Sequence, residues 1–159
     1  MLIREIQKKD NEIIMTIIKS SLEALKLDIP GTAYFDPQLN DLYHFYNQFE
    51  HANYWIVELD GKVVGGIGIA PFNAKERICE LQKLYLVPEA QGLGLSIKLM
   101  ETALAFAAEH YEKCYLETLH ELTAACSLYK KFGFMLLQEP LEGSEHSAMD
   151  AWFIKDLNT

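Results

Sequence analysis

The sequence is poor in cysteine, and the few cysteines it has are not paired. Cys79, Cys114 and Cys126 are odd in number and far apart, and no two of them form a C-x-x-C motif. None of the five histidines stands near them at the spacing of zinc ligands, so we expect no metal site. Isolated cysteines of this kind are typical of reduced thiols, and we therefore expect a cytoplasmic protein.

The sequence also lacks a long apolar run and an excess of positive charge. No run approaches the roughly 18–20 apolar residues that a membrane-spanning helix needs, and the first ten residues are too charged for a signal-peptide core. Lys and Arg total 14 against 23 Asp and Glu, a net charge of −9. This balance argues against nucleic acid and anionic membranes as partners and favours a cationic one.

What remains is the composition of a folded globular chain, with 159 residues, 50% of them hydrophobic. The length suits one core and no linker interrupts it, so we predict a single domain over residues 1–159. Asp60-Gly61 is typical of a two-residue hairpin turn, and a helix is expected to start at Asp36-Pro37. Periodicity predicts helices at about 10–25, 36–50, 92–110 and 121–132, and strands at 2–7, 54–59, 62–71, 76–87, 113–118, 134–138 and 147–155.

The turn that follows the strand at 76–87 has the strongest chemical signal. It runs from Gln91 to Ser96, contains Gly92 and Gly94, and leads into an amphipathic helix. Free N–H groups and the positive end of the helix dipole make such a helix start an anion site. The turn has neither the ending of a Walker loop nor the third glycine of a dinucleotide fingerprint. On glycine spacing alone, a plain tight turn is an equal alternative.

Three segments, in order, resemble the GNAT superfamily of acetyl-CoA-dependent N-acetyltransferases. Residues 91–96, Gln-Gly-Leu-Gly-Leu-Ser, are similar to its Q/R-x-x-G-x-G/A signature. Residues 80–88 resemble its acceptor strand, and residues 128–134, Leu-Tyr-Lys-Lys-Phe-Gly-Phe, resemble the end of its last helix. The predicted order β-α-α-β-β-β-α-β-α-β-β is also that of the family. The resemblance therefore implies a mixed α/β fold with a central, mostly antiparallel sheet of about seven strands flanked by about four helices.

The resemblance also implies where acetyl-CoA binds. In the family the coenzyme lies where two parallel strands splay apart, here the strands predicted at 76–87 and 113–118. The pantetheine arm would pair with the main chain like an added strand, and backbone amides would hold the pyrophosphate. The residues implied for pantetheine are Tyr85, Leu86 and Val87, and those implied for the pyrophosphate are Gln91, Gly92, Leu93, Gly94, Leu95 and Ser96.

The reaction implied is direct attack of an amine on the thioester. An alkylamine is neutral only about once in 10³–10⁴ molecules at pH 7, so a general base is useful. Glu80 matches the family's acidic position, with a solvent-facing strand carboxylate as the alternative. Tyr129 matches the position of the acid that protonates the leaving thiolate, with a core tyrosine as the alternative. Rival bases follow the strand at 113–118, namely Glu117, His120 and Glu121.

The acceptor and two departures from the family pattern leave questions open. The loop between the first two helices is expected to wall the acceptor site, where Asp36 and nearby aromatic side chains would receive an amine. Ser96 stands where the family has Gly or Ala, and Leu122 replaces an asparagine that often contacts the coenzyme. The acceptor is expected to be a small-molecule or peptide amine, and many relatives form homodimers. A non-catalytic CoA-binding module and a plain interaction domain are the alternatives.

Overall fold

The computed structural model describes residues 1–158. In this range the helices are α1 (Asn11–Ala24), α2 (Leu42–Asn47), α3 (Leu95–His110) and α4 (Thr123–Lys131). The strands are β1 (Leu2–Glu5), β2 (Asn53–Leu59), β3 (Lys62–Asn73), β4 (Ile78–Leu86), β5 (Lys113–Thr118), β6 (Met135–Leu137) and β7 (Ala151–Asp156). The predicted element order and the mixed α/β class are confirmed. No helix among these residues is both long and apolar enough to cross a bilayer.

All seven strands form one sheet in the order β1-β2-β3-β4-β5-β7-β6. Only β4 and β5 run parallel, and every other neighbouring pair is antiparallel, as predicted. The β2–β3 hairpin turns at Asp60-Gly61, where φ is 50° and 76°. Positive φ at both positions is the requirement of a type I′ turn, so the hairpin prediction is confirmed.

A hydrophobic core lies on each face of the sheet, because side chains alternate along every strand. On β2, Trp55 and Val57 pack with α3 and α4, while Tyr54 and Ile56 pack with α1 and α2. All three cysteines are buried and free.

The second helix is shorter than predicted and begins later. The chain forms a 3-10 turn at Ala33–Phe35, and α2 starts only after Asp41, whose carboxylate accepts from His44 N–H at 3.1 Å. Asp36 was expected at the start of this helix, but its carboxylate instead accepts hydrogen bonds from Lys83 and His146. The expected start at Asp36-Pro37 is therefore wrong, since a different aspartate caps the helix.

A charged cluster fastens the N-terminal strand to α1 and β2. Arg4 donates to both oxygens of Asp10, at 2.8 and 3.0 Å, and to Glu58. Asp10 is buried, and it also accepts from Gln7 N–H at 2.7 Å. Burial opposes its ionisation, but these hydrogen bonds outweigh burial and lower the pKa of Asp10.

We expect Asp10→Asn to lower the free energy of unfolding by about 2–4 kcal/mol at pH 7, because Arg4 loses its buried carboxylate partner. A lowered folded-state pKa gives stability that is present above about pH 4 and is lost as the pH falls through the folded value. The difference between wild type and variant in urea unfolding should therefore shrink below about pH 4. Asp28→Asn, at an exposed position, is the control and should change stability little. An equal loss in both variants would contradict this role for Asp10.

Candidate active site

A cleft opens in the middle of the sheet because β4 and β5 pair only briefly. Their parallel pairs are Ile78↔Lys113, Cys79↔Cys114 and Glu80↔Tyr115. Within residues 1–158 no later pair joins the two strands, although β4 continues to Leu86 and β5 to Thr118. The two strands predicted to splay apart therefore do so directly after Glu80.

A β-bulge in β4 lies where the strands separate. Gly68 pairs with Gln82 but Gly66 pairs with Tyr85, so β4 has one more residue than β3 in this interval. Lys83 lies in the bulge with a left-handed φ of 52°, and its carbonyl accepts from the buried Tyr54 hydroxyl at 2.8 Å. The bulge bends β4 and exposes its main chain to the cleft.

Beyond the bulge, the three residues implied for pantetheine differ in what their main chain offers. The N–H of Val87 donates to Val64 of β3 at 2.9 Å. Because antiparallel residues alternate in their direction of hydrogen bonding, Leu86 turns its main-chain groups to the cleft, and those of Tyr85 face β3. The carbonyl of Leu86 accepts from the Gln91 side chain at 3.3 Å. Leu86 is therefore the residue of the three that presents main-chain groups to a ligand in the cleft.

The glycine turn before α3 has the form of an anion site. Gly92 and Gly94 both have φ of 78°, a conformation that favours glycine. The N–H of Gln91 is used in a turn to Pro88 at 3.2 Å. The N–H groups from Gly92 to Ser96 have no acceptor among the residues that the structure describes. Five successive free donors at a helix start suit a phosphate group.

Tyr129 lies on α4 with its ring against Phe134 and Phe153, at centroid distances of 6.0 and 6.1 Å. Burial raises the pKa of its hydroxyl, so the phenol keeps its proton at neutral pH. Burial also raises the pKa of Tyr85 on β4, so this phenol is protonated as well. Tyr129 therefore lies in the core on the α3 and α4 side of the sheet as a protonated donor.

A cavity of about 410 Å³ lies on the other face of β4, against the bulge. Its wall combines aromatic rings with charged groups, which suits a ligand that is partly apolar and partly charged. Its lining includes Asp36, Phe45, Phe49, Phe72, Glu80, Gln82, Lys83, Glu145 and His146.

Glu80 is held in this cavity by a short chain of hydrogen bonds. The Tyr46 hydroxyl donates to Gln82 Oε1 at 2.8 Å, and Gln82 Nε2 donates to Glu80 Oε1 at 2.7 Å. Gly68 makes room for this arrangement, since any side chain there would overlap the Tyr46 hydroxyl. Burial raises the pKa of Glu80 to about 7, and the charge of Glu117 adds to this rise. Such a carboxylate can take and release a proton near neutral pH.

Asp36 accepts hydrogen bonds from two basic side chains at the mouth of the cavity. Its carboxylate accepts from Lys83 Nζ at 2.6 Å and from His146 Nε2 at 2.9 Å. The Lys83 side chain is only 2% exposed, so its charge is committed to this pair. The hydrogen bond to Asp36 raises the pKa of His146 against the opposing effect of burial. These contacts tie the loop before β7 to the loop between α1 and α2.

Glu117 lies at the end of β5 with its side chain 2% exposed. Its Oε2 accepts from the hydroxyls of Tyr115, at 2.8 Å, and Ser144. Its Oε1 is buried and has no hydrogen-bond partner among residues 1–158, and it lies 3.8 Å from His146 Nδ1. At that separation the two atoms are too far apart for a hydrogen bond.

The structure separates the candidate bases and adds residues that the sequence did not indicate. Glu80 and Glu117 lie close together, whereas His120 is exposed and lines a separate cavity with Cys126. Glu121 is exposed in the turn before α4. Sequence reasoning missed His146 and Lys83, because no local pattern links a loop histidine or a strand lysine to an aspartate far away in the chain.

The comparisons with known proteins agree with this geometry. A model of the acetyltransferase (GNAT) family matches residues 20–134. The uncharacterized N-acetyltransferase YjgM of Escherichia coli is 39% identical over 158 residues, 97% of this chain and 93% of YjgM. A GNAT acetyltransferase structure from Staphylococcus aureus superposes with a TM-score of 0.86 at 18% identity, covering 99% of each chain. The YncA structure from Salmonella typhimurium, solved with acetyl-CoA, gives 0.77 at 19% identity over 100% and 95% of the two chains.

We expect the titration of Glu80 to be visible in the stability of the protein. Its raised folded-state pKa gives stability that is present below about pH 4.5 and is lost as the pH rises through about 7. The free energy of unfolding of Glu80→Gln, measured with urea relative to wild type, should therefore increase by about 1–3 kcal/mol as the pH rises from 5 to 8. Glu89→Gln, which changes an exposed carboxylate, should run parallel to wild type. A difference in unfolding free energy between Glu80→Gln and wild type that stays constant from pH 5 to pH 8 would show that Glu80 does not titrate in this range.

Proposed function

The chain belongs to the GNAT acetyltransferase family and is an acyltransferase, and on that premise we propose that it transfers acetyl from acetyl-CoA to an amine by direct attack in a ternary complex. The observation that carries the proposal is the cleft after Glu80, which has a glycine turn of free N–H groups at one end and a charged cavity at the other. These are the two half-sites that such a transfer needs.

Acetyl-CoA would occupy the cleft and the glycine turn. The main chain of Leu86 would pair with the pantetheine arm, and the N–H groups from Gly92 to Ser96 would hold the pyrophosphate. The departure at Ser96 adds a hydroxyl at this helix start, which is compatible with phosphate. Leu122 packs against the α1–α2 core and offers the coenzyme no polar group. Binding at this site therefore relies on the main chain.

The acceptor amine would occupy the cavity with Glu80 as its general base. Glu80 takes a proton from the amine nitrogen, the nitrogen bonds to the acetyl carbon, and the bond from that carbon to sulfur breaks. Tyr129 donates its proton to the departing thiolate from the opposite face of the sheet. The acidic wall and the net charge of −9 favour a cationic amine.

Calorimetry with acetyl-CoA followed by thiol release across a panel of small amines and peptides tests the proposal. We expect acetyl-CoA to bind at micromolar concentration or tighter and CoA to be released with at least one amine. Absence of binding would remove the coenzyme site. Binding without turnover on any amine would instead support the non-catalytic CoA-binding module.

Variants of the two proposed catalytic residues should differ in their effect on the pH dependence of kcat/KM. In wild type, kcat/KM should rise with pH through about 7 as Glu80 ionises. Glu80→Gln should abolish that rise and lower kcat by about 10²-fold or more, while Tyr129→Phe should keep the rise and lower kcat by at least about tenfold.

The control for the tyrosine is Tyr111→Phe, which removes a hydroxyl that is bonded to the His51 carbonyl. It should keep the wild-type kcat, and the KM for acetyl-CoA should stay within about twofold in all three variants. Unchanged kcat in Tyr129→Phe, or an unchanged pH profile in Glu80→Gln, would remove that residue from the mechanism.

A further inference from the structure

The loop of residues 138–150, which joins β6 to β7, walls one side of the cavity and lies outside both hydrophobic cores. It supplies Gly143, Glu145 and His146 to the lining. Within this loop, all of which the structure describes, no residue is buried and none lies in a helix or strand. Met149 packs against the core beside α1 and α2 but stays partly exposed. A segment with so few buried apolar contacts opens easily, so polar contacts decide where this loop lies.

His146 is the residue through which this loop meets two other parts of the fold. Its Nε2 faces both oxygens of Asp36, at 2.9 and 3.2 Å, in the loop between α1 and α2. Its Nδ1 lies 3.8 Å from Oε1 of Glu117 on β5. A main-chain bond lies close by, in which the N–H of Ala148 donates to the carbonyl of Gly31 at 3.1 Å. One imidazole ring therefore stands between two carboxylates that belong to different elements.

The protonation state of His146 decides whether both of these contacts are attractive. A neutral imidazole has one N–H and one lone pair, so one of the two carboxylates would face a lone pair. The imidazolium has an N–H on each ring nitrogen and suits both partners. Glu117 Oε1 is buried and has no hydrogen-bond donor within residues 1–158, so a positive charge 3.8 Å away compensates an otherwise unpaired atom. The imidazolium is therefore the form of His146 that fits this position.

The charges packed around His146 balance when the ring is protonated. Lys83 and the imidazolium together offset Asp36 and Glu117. The hydrogen bond to Asp36 raises the pKa of His146, against burial and the charge of Lys83. The charge of Glu80 on β4 adds to this rise. A raised folded-state pKa gives a stabilisation that is present below about pH 6.5 and is lost as the pH rises through the folded value.

We propose that His146 is a positioning residue whose imidazolium holds the loop of residues 138–150 closed against the cavity, and that loss of its proton releases this wall. Because the loop has no buried residue to anchor it, one contact that turns repulsive is enough to change how often it opens. The cavity wall is then ordered in weakly acidic solution and released in alkaline solution. This inference goes beyond the proposed function, since it concerns the wall and holds whatever ligand the cavity takes.

Amide hydrogen exchange of the ligand-free full chain, followed by mass spectrometry between about pH 6 and pH 9, tests the release of the loop. Protection factors, which correct for the intrinsic pH dependence of exchange, are compared for peptides that cover residues 138–150 and for peptides from β2 and β3. We expect protection of the loop, including the Ala148 N–H, to fall by at least about fivefold across this range. Protection of the two strands should stay within about twofold. A loop whose protection does not change with pH would overturn the proposal.

Two variants of the same contact should act in opposite directions, after thermal unfolding shows that they are folded. His146→Gln removes the imidazolium, so the loop should have low protection at every pH and no pH-dependent fall. Glu117→Gln puts an amide N–H opposite Nδ1, which a neutral imidazole accepts, so the loop should stay protected up to about pH 9. His44→Gln changes an exposed histidine on α2 and should match wild type. A wild-type fall in protection in either His146→Gln or Glu117→Gln would assign the opening to another group.

Steady-state kinetics with an amine that supports thiol release connect this wall to the acceptor. The ratio of the acceptor KM in His146→Gln to that in wild type cancels the ionisation of the amine itself. We expect this ratio to be at least about fivefold at pH 6 and to approach one at pH 9, while the KM for acetyl-CoA stays within about twofold. Equal acceptor KM values at pH 6 would overturn the positioning role. Absence of thiol release with every amine would reject the proposed transfer, and hydrogen exchange would still decide the role of His146.

Discussion

The brief pairing of β4 with β5 is the constraint on which the candidate site depends. A sheet normally satisfies the main-chain groups of its inner strands on both sides, but among the described residues β4 runs from Leu81 to Leu86 without a partner on the β5 side. An inner strand with one open side is a template for an extended ligand, whose own amides complete the ladder. The coenzyme proposed for this chain has such an extended arm, so the gap in the sheet and the ligand are complementary.

Lys83 connects the backbone of the cleft with its electrostatics. The residue lies in the bulge with a left-handed φ, and its ammonium group is buried against Asp36. Asp36 in turn holds His146, which lies 3.8 Å from Glu117. The β-bulge in β4 therefore also places the Lys83 ammonium group where it pairs with Asp36, which holds the two loops around the cavity. Main-chain strain and a buried ion pair, each costly alone, support one another at this point.

Local patterns predicted the parts of the molecule that are contiguous in sequence. The Asp60-Gly61 turn, the boundaries of β5 and the glycine turn before α3 all follow from short-range chemistry, and the structure has the turns and the strand where they were expected. The second helix was misplaced because two aspartates stood near its start and only tertiary contacts decide which one caps it. The cluster of Glu80, Glu117 and His146 had no local signature, since three distant segments supply it.

The two sides of the site differ in how they are fastened to the fold. The glycine turn is anchored by Leu95, which is buried in the core beneath α3. The loop before β7 is held by polar contacts: His146 to Asp36, Ser144 to Glu117, and the N–H of Ala148 to the carbonyl of Gly31 at 3.1 Å. Sequence changes in that loop can therefore alter the shape of the cavity without repacking either hydrophobic core. In evolutionary terms, the loop before β7 can change to accept new substrates while the glycine turn keeps its main-chain groups for the proposed coenzyme.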